Sequence, residues 1–540
     1  MKADPVKWDS ATAWRRYCGF LDISMDTFME IQSHLLMEQI DLVGDSRLGR
    51  RIMRAEKPTS VEEFRANVPL TTYGDYLPFL DHENPTGLPE GEYSWVHTTG
   101  ARAGHKWVPY TRRAYNRLLD NIMAAFILAG ARQKGDVVVQ PGDMVMYNMP
   151  PRPYLSGMAT FGMQERFAFK GVTDPTIVET MEFGDKVRLG FEQALSTKVD
   201  VIISMTSVLV RTGQEFENSR RVSKARGSSG VKRNVHAIRR MAWAKLKSLV
   251  GRRPIRPRDL WPTKSLICWG IDTDFYRDRV KEYWGHLPFE MYACTEGGVM
   301  GMQSWERGGM LFSPYANFYE FIPEEMSRGR FTGQQQPDTV LLPDVEPGKT
   351  YELVISNFYG MPLMRYRVGH MVKIREMPEG GWKHSPEFDF IGRGDDRVDI
   401  SGFTRIDEKS VWDAMRDAGI EFDDWVIRKE NIGEKQFLHM YGETDGSVDA
   451  EKAAIRLHET LTGVDQFYRD LETMLEIAPM QVTALPPGTF DSYYNEKLAE
   501  DLPLDMRRPP RMNADDEAID DLMRLASLVE SGVDSSAAGS

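Results

Sequence analysis

Four short segments of the chain hold residue types suited to handling phosphate. His97–Pro109 reads HTTGARAGHKWVP, in which Thr98 and Thr99 precede Gly100, Gly104 and Lys106. Glycines let backbone N–H groups approach an anion, hydroxyls donate to it, and a lysine adds a point charge. No Gly-Lys-Ser/Thr follows, so this is not a Walker loop. Taken alone, a polar turn between two elements has the same composition. Phe289–Gly298 reads FEMYACTEGG and puts Tyr292, Thr295 and Glu296 at an expected strand end before a glycine turn. There an aromatic can stack on a base, a hydroxyl can bond a phosphate and a carboxylate can hold Mg²⁺. Met364–His370 (MRYRVGH) and Ile391–Gly402 (IGRGDDRVDISG) add arginines, which suit phosphate but more often end in ion pairs.

The elements that must position these segments follow from periodicity. Residues 11–66 repeat apolar side chains at three- and four-residue spacing, including Phe20, Leu21, Ile23, Phe28, Ile31, Leu35 and Leu36, and read as helical. Asp136–Gln140, Val199–Ser204 and Ser265–Gly270 read as buried strands, with helical patterns at Arg112–Ala129 and Asp185–Thr197 between them. Strand, helix, strand at this spacing predicts an α/β domain with crossover connections. Tyr351–Asn357 and Met371–Arg375 read as further strands. After Gly392–Asp396 the pattern changes to that of a small α+β domain, with a helix at Glu408–Ala418 and mixed structure to about Leu485. Ala514–Ser540 begins as an acidic helix and ends in a small-residue tail expected to be disordered.

Composition narrows the function classes. Among 540 residues, 80 acids against 67 Lys and Arg give a net charge of −13, the wrong sign for a general nucleic-acid binder. The three cysteines, Cys18, Cys268 and Cys294, are too few and scattered for a disulfide framework or zinc cluster. The amino terminus does not read as a signal peptide, and no apolar run approaches a membrane span. A cytoplasmic protein with no membrane partner is expected. One segment departs from the acidic average: Arg220–Arg258 holds 14 Lys or Arg and no acid. It reads either as a site for a phosphate-bearing cosubstrate or as a solvated surface helix.

In this order the four segments resemble those of the adenylate-forming superfamily of acyl-CoA synthetases, peptide-synthetase adenylation domains and luciferases. Within it, the chain looks most like the plant auxin-responsive acyl-amido synthetases and their bacterial relatives. Phe64–Leu80 (FRANVPLTTYGDYLPFL) and the stretch YELVISNFYGMPLMRYRVGH carry the resemblance to that branch, which runs from about residue 60 to 405. It implies a large α/β amino-terminal domain (1–392) with mixed sheets and flanking helices, a hinge at 393–396 and a small mobile α+β cap (397–513), followed by the acidic helix and flexible tail (514–540).

The resemblance also implies roles. Thr98, Thr99, Gly100, Gly104 and Lys106 would grip the β- and γ-phosphates of ATP. Tyr292 would flank adenine, Thr295 would contact the α-phosphate and Glu296 would help hold Mg²⁺. Gly270, Ile271 and Asp272, with Thr273, would form the adenine-side loop. Arg393 matches the hinge-motif arginine, and Asp395 matches the hinge itself. Two positions depart from the family pattern. His370 stands where the family has a ribose-binding Asp, and a neutral histidine has only one acceptor. Arg508, in RRPPR, stands at the position of the carboxyl-terminal catalytic lysine, with Lys497 as the fallback cation.

The implied activity is ATP- and Mg²⁺-dependent activation of a small, aromatic or hydrophobic carboxylic acid as an acyl-adenylate. Transfer to an amine would then release AMP. Three alternatives stand beside it: CoA as acceptor, for which the basic segment argues; a non-carboxylate oxyanion such as nitrite; and a catalytically reduced binding protein. A monomer or homodimer is expected. Met144, Met146, Met149, Tyr154 and Trp269 are candidates for an acyl pocket, although methionines at such positions are more often core filler. Cys294 and His97 read as structural.

Overall fold

An eleven-stranded mixed sheet organises the residues up to Gly394, and a separate α+β unit begins at Asp395. The structure is a computed structural model that describes residues 9–54, 57–80, 85–98, 106–179, 181, 183–217, 235–269, 273, 276–327, 336–376, 383–393, 397–400, 404–432, 435–464, 468–469, 480–500 and 508–530.

In the first unit, β1 (Tyr93–His97) and β2 (Trp107–Thr111) form a hairpin with His97 opposite Trp107. The large sheet comprises β3 (Met144–Tyr147), β4 (Lys170–Gly171), β5 (Val201–Met205), β6 (Ser265–Trp269), β7 (Phe289–Cys294), β8 (Gly298–Gln303), β9 (Met310–Phe312), β10 (Asn317–Pro323), β11 (Thr350–Asn357), β12 (Tyr366–Glu376) and β13 (Glu387–Arg393). Their order is β10-β11-β12-β13-β9-β8-β7-β6-β5-β3-β4. From β4 to β7 every pairing is parallel, and from β7 to β10 every pairing is antiparallel. β7 is therefore the strand at which the sheet changes character.

Burial explains the parallel half: all five residues of β5 are buried, the continuous apolar run that a strand covered on both faces requires. The helix Arg112–Gly130 covers this region. Thr111 caps it by accepting from Ala114 N, every residue from Asn121 to Ala129 is buried, and Asn121 Nδ2 donates to Val299 O of β8 at 2.9 Å. The amino-terminal helical reading resolves into helices at Ser10–Cys18, Met25–Gly44, Arg47–Met53 and Val61–Asn67. Gln32, buried on the second of these, donates to Pro314 O and Asn317 O and so ties that layer to the antiparallel half.

One expected strand is absent. Asp136–Gln140 makes no ladder, because Gln140 N donates to the Asp143 carboxylate and Asp143 N to Gln140 O, closing a turn over Pro141–Gly142. The strand starts after that turn, at Met144, so Met144 and Met146 lie on β3 and Met149 just past it in the core.

The second unit holds the hairpin β14 (Arg397–Ile400) and β15 (Thr404–Asp407), and a sheet of β16 (Trp425–Ile432), β17 (Lys435–Glu443) and β18 (Gln481–Leu485). β16–β17 is antiparallel and β17–β18 parallel. The expected helix at Glu408–Ala418 is present. The acidic helix, Asp516–Glu530, does not stand apart from this unit. Ile519, Leu522, Leu525 and Ala526 are buried with Val426, Tyr441, Leu485 and Phe490 in its core. Asp516, Glu517 and Asp520 face outward and the apolar stripe inward, which composition alone concealed.

Candidate active site

Lys106 immediately precedes the second strand of the hairpin. Thr98 N donates to Lys106 O at 3.0 Å, so the loop that carries Gly100 and Gly104 is closed by paired backbone at its base. Thr99, Gly100 and Gly104 themselves lie outside the described residues, as do Gly270, Ile271, Asp272 and Asp395. Thr98 is buried.

The Lys106 ammonium enters a cage built by segments far apart in the chain. Nζ lies 3.2 Å from the Tyr366 hydroxyl and 3.8 Å from Glu296 Oε1, and sits over the Tyr73 ring, 5.4 Å from its centroid. Tyr73 belongs to the Phe64–Leu80 segment. It locks the hairpin in place, because its hydroxyl donates to Trp107 O and accepts from Trp107 N. The same segment reaches β12 through Thr71, whose N–H donates to Arg365 O and whose carbonyl accepts from Arg367 N. Tyr73 and Tyr366 are not among the residues that the sequence singles out, although Tyr366 lies inside MRYRVGH.

Glu296 follows β7, at the carboxyl end of the strand where parallel pairing gives way to antiparallel. Its carboxylate is buried. The turn that carries it is held by its own backbone: Asn357 Nδ2 donates to Glu296 O, Asn317 Nδ2 to Gly297 O, and Tyr110 Oη to Thr295 O at 2.8 Å. Burial, with Cys294 and Glu296 nearby, pushes the Tyr110 phenol well above its ordinary value, so it stays a neutral donor. Gly298 adopts φ 67°, a left-handed turn that a side chain would strain.

Tyr292 and His370 meet. The Tyr292 hydroxyl is 2.7 Å from His370 Nδ1, and both residues are buried. If the phenol donates, Nδ1 accepts and the ring proton resides on Nε2; the other tautomer reverses the bond. The strands that carry them, β7 and β12, are four steps apart in the sheet, roughly 19 Å if it were flat. The antiparallel half therefore curls, and an aromatic cluster fills the curl. Tyr292 stacks on Phe390 at 5.3 Å and meets Phe388 edge-on, and Phe388 stacks on Phe312 at 3.9 Å. Gly301 makes room for this stack, since a Cβ there would come within 2.6 Å of the Phe388 ring.

The arginines of the third segment are engaged elsewhere. Arg365 forks Glu320 at 2.8 and 3.0 Å and donates to Arg65 O and Val68 O, while Arg367 forks Glu352 at 2.5 and 2.8 Å. Both carboxylates are buried, so these pairs fix β12 against β10 and β11. Arg393 ends β13 opposite His370, and its side chain lies outside the described set.

In the second unit, Arg508 is 65% exposed and lies 3.4 Å from Asp424. Lys497 is buried and held by Asp521 at 3.0 Å and Glu500 at 3.4 Å; hydrogen bonding to Asp521 raises its pKa above the ordinary lysine value. It braces the last two helices of that unit. Of the acyl-pocket candidates, Tyr154 packs edge-on to His97 at 4.4 Å and Trp269 packs against the core at the end of β6.

A model described as the GH3 family central domain matches residues 310–393. A probable indole-3-acetic acid-amido synthetase of Oryza sativa subsp. japonica is 30% identical over 217 residues, 37% of this chain and 42% of that protein. A jasmonoyl–L-amino acid synthetase of the same organism is 28% identical over 266 residues, 44% of each. The chain thus spans less than half the length of these curated relatives. Among solved structures, the GH3.15 acyl acid amido synthetase in complex with 2,4-DB superposes with a TM-score of 0.54 at 17% identity, covering 96% of this chain and 97% of that one. A 2-hydroxyisobutyryl-CoA ligase with 2-HIB-AMP and CoA gives 0.58 at 15% identity, covering 90% and 93%. The chain has the fold of the adenylate-forming superfamily, and its sequence relatives lie on the acyl-amido synthetase branch that the motif order implied.

Proposed function

We propose that the chain is an adenylate-forming ligase. It joins a carboxylic acid to ATP as an acyl-adenylate with release of pyrophosphate, then passes the acyl group to an amine, giving an amide and AMP. The observation that supports this best is the approach of Lys106 to Glu296, which brings a candidate phosphate-binding cation to a buried carboxylate at the sheet's switch strand.

In this reading Lys106 and Thr98, with Thr99, Gly100 and Gly104, bind the β- and γ-phosphates. The donor set suits Mg²⁺: Glu296 offers a hard carboxylate oxygen at a strand end, and the bound cation would neutralise phosphate charge. Thr295 contacts the α-phosphate. Tyr292, backed by Phe390, offers a fixed aromatic surface to adenine, and His370 presents Nε2 towards ribose. A carboxylate oxygen of the acid attacks the α-phosphorus and the P–O bond to pyrophosphate breaks. Such a step needs positioning and charge neutralisation more than covalent help. Arg393, Arg508 and Lys497 are the further candidate cations of this reading.

An amine is favoured as acceptor. The two relatives' names describe acids joined as amides, one of them to an amino acid. The basic segment, which argued for CoA, spends two of its arginines internally: Arg253 forks Asp259 and Arg256 pairs with Glu282. The test is pyrophosphate release from ATP–Mg²⁺ with a panel of aromatic and aliphatic acids and nitrite, alone, with CoA and with amines. Acid-dependent release that amines accelerate supports the reading. Acceleration by CoA alone redirects it to thioester formation, and silence with ATP still bound to a binding protein.

A further inference from the structure

The helix Val235–Gly251 turns an apolar face to solvent. Ile238, Trp243, Leu246, Leu249 and Val250 are 56, 59, 49, 76 and 79% exposed, whereas Ala244 on the opposite side is fully buried. At about 100° per residue, the five exposed positions fall within an arc of roughly 140°. They are five of the fifteen large apolar residues exposed among the described residues. Single exposed apolar side chains need no explanation, but five on one face of one helix do.

The charge around this face is of one sign. Lys245 and Lys247 border the arc on its two sides, Arg239 lies at its amino-terminal end, and all three are exposed. No acid occurs anywhere from Arg220 to Arg258, although the chain as a whole is acidic. Arg253 and Arg256, beyond the helix, are paired with Asp259 and Glu282, whereas Arg252 just past the helix end is exposed and adds to the positive charge beside the apolar face.

We propose that this helix docks in the plane of an anionic lipid surface, its apolar face at the boundary between headgroups and acyl chains and its lysines against headgroup phosphates. An apolar stripe with Trp and Leu, bordered by Lys and Arg, has the composition of an interfacial helix. No helix of the described residues is long and apolar enough to cross a membrane, so the contact is parallel to the surface. Charge selects the occupant. Pairing with a second copy across a twofold axis would set Arg239, Lys245 and Lys247 against their own kind. A neutral groove would leave those cations without partners. An anionic surface matches both features, and the acidic excess elsewhere in the chain directs approach through this one helix. This inference is independent of the proposed reaction.

The experiment is flotation of the full chain with phosphatidylcholine vesicles and with vesicles carrying about 30% phosphatidylserine, at roughly 0.1 M salt. The expected result is binding to the anionic vesicles only, and release as salt rises to about 0.5 M. Leu246→Glu/Leu249→Glu and, separately, Lys245→Glu/Lys247→Glu should each weaken binding by about tenfold or more. The thermal midpoint of both variants should stay at the wild-type value, as the altered side chains are exposed. Leu249→Ser serves as the milder substitution if the double variant is unstable. The proposal is overturned by failure to bind anionic vesicles, by binding indifferent to both pairs of substitutions, or by a wild-type dimer that Leu249→Ser disperses while vesicles go unbound.

Discussion

Lys106 Nζ and Glu296 Oε1 stand 3.8 Å apart although 190 residues separate them in the chain. The ion pair is asymmetric, since the lysine side chain is 25% exposed and the glutamate 6%. Lys106→Ala would leave a buried carboxylate without its cation. We expect a loss of about 1–3 kcal/mol in unfolding free energy and, for the proposed ligase, a fall in acid-dependent pyrophosphate release of about 100-fold or more. Glu296→Gln in the same background should recover stability but not turnover. Denaturant titration and pyrophosphate assays on the two variants distinguish a structural pair from a catalytic one.

The Tyr292–His370 bond can be tested through both partners. Tyr292→Phe leaves the imidazole short of one partner and should cost about 1–2 kcal/mol. His370→Asp keeps an acceptor for the phenol and restores the carboxylate that the family pattern places there. Its ATP KM should be unchanged or lower. A large rise in KM would show that the imidazole has a task of its own.

Arg365 and Glu320 are both buried and doubly hydrogen-bonded, with Arg65 also on Glu320. Breaking this pair with Arg365→Met leaves the buried carboxylate with Arg65 at 3.2 Å as its remaining cation and should destabilise the first unit by about 3 kcal/mol. Arg365→Met/Glu320→Gln should recover part of that loss. Thermal midpoints of the single and double variants measure the coupling; strict additivity would contradict it.

Lys186 is buried, and its ammonium donates to Met149 O at 2.5 Å. Burial lowers its pKa from 10.5 to about 8. Between those values the unfolded chain holds the proton and the folded chain does not, so this group's contribution to stability rises with pH from about 8 to 10.5. Relative to wild type, Lys186→Met should therefore be more stable at pH 7 than at pH 10. Equal differences at the two pH values would contradict the burial of the charge.

Arg508 and Lys497 make opposite demands on stability. Arg508 is exposed, so Arg508→Ala should change unfolding free energy by no more than about 0.5 kcal/mol. Any loss of turnover in that variant is then functional. Lys497→Met removes one of the two cations on Asp521, the other being Arg524, and should lower the melting temperature of the second unit. If Lys497→Met instead abolishes turnover at wild-type stability, the fallback cation is the catalytic one.

Local pattern sufficed wherever a property is carried by neighbours in sequence. The periodicity of Arg112–Gly130, the apolar runs of β5 and β6, the change of pattern after Gly392 and the order of the four segments were all legible. Where the pattern was ambiguous, as at Asp136–Gln140, the competition lay between ladder and turn, and Asp143 decided it by accepting the Gln140 N–H. Partnership between distant residues could not be read. Nothing in MRYRVGH says that Arg365 and Arg367 are spent on Glu320 and Glu352 while Tyr366 faces Lys106. Nor does the sequence say that Tyr292 reaches His370, because that bond exists only once the antiparallel half of the sheet curls and brings strands four places apart into contact. Charge and hydrogen-bonding capacity belong to the residue and are written in the sequence; which partner consumes them is a distance, and distances are set only by packing.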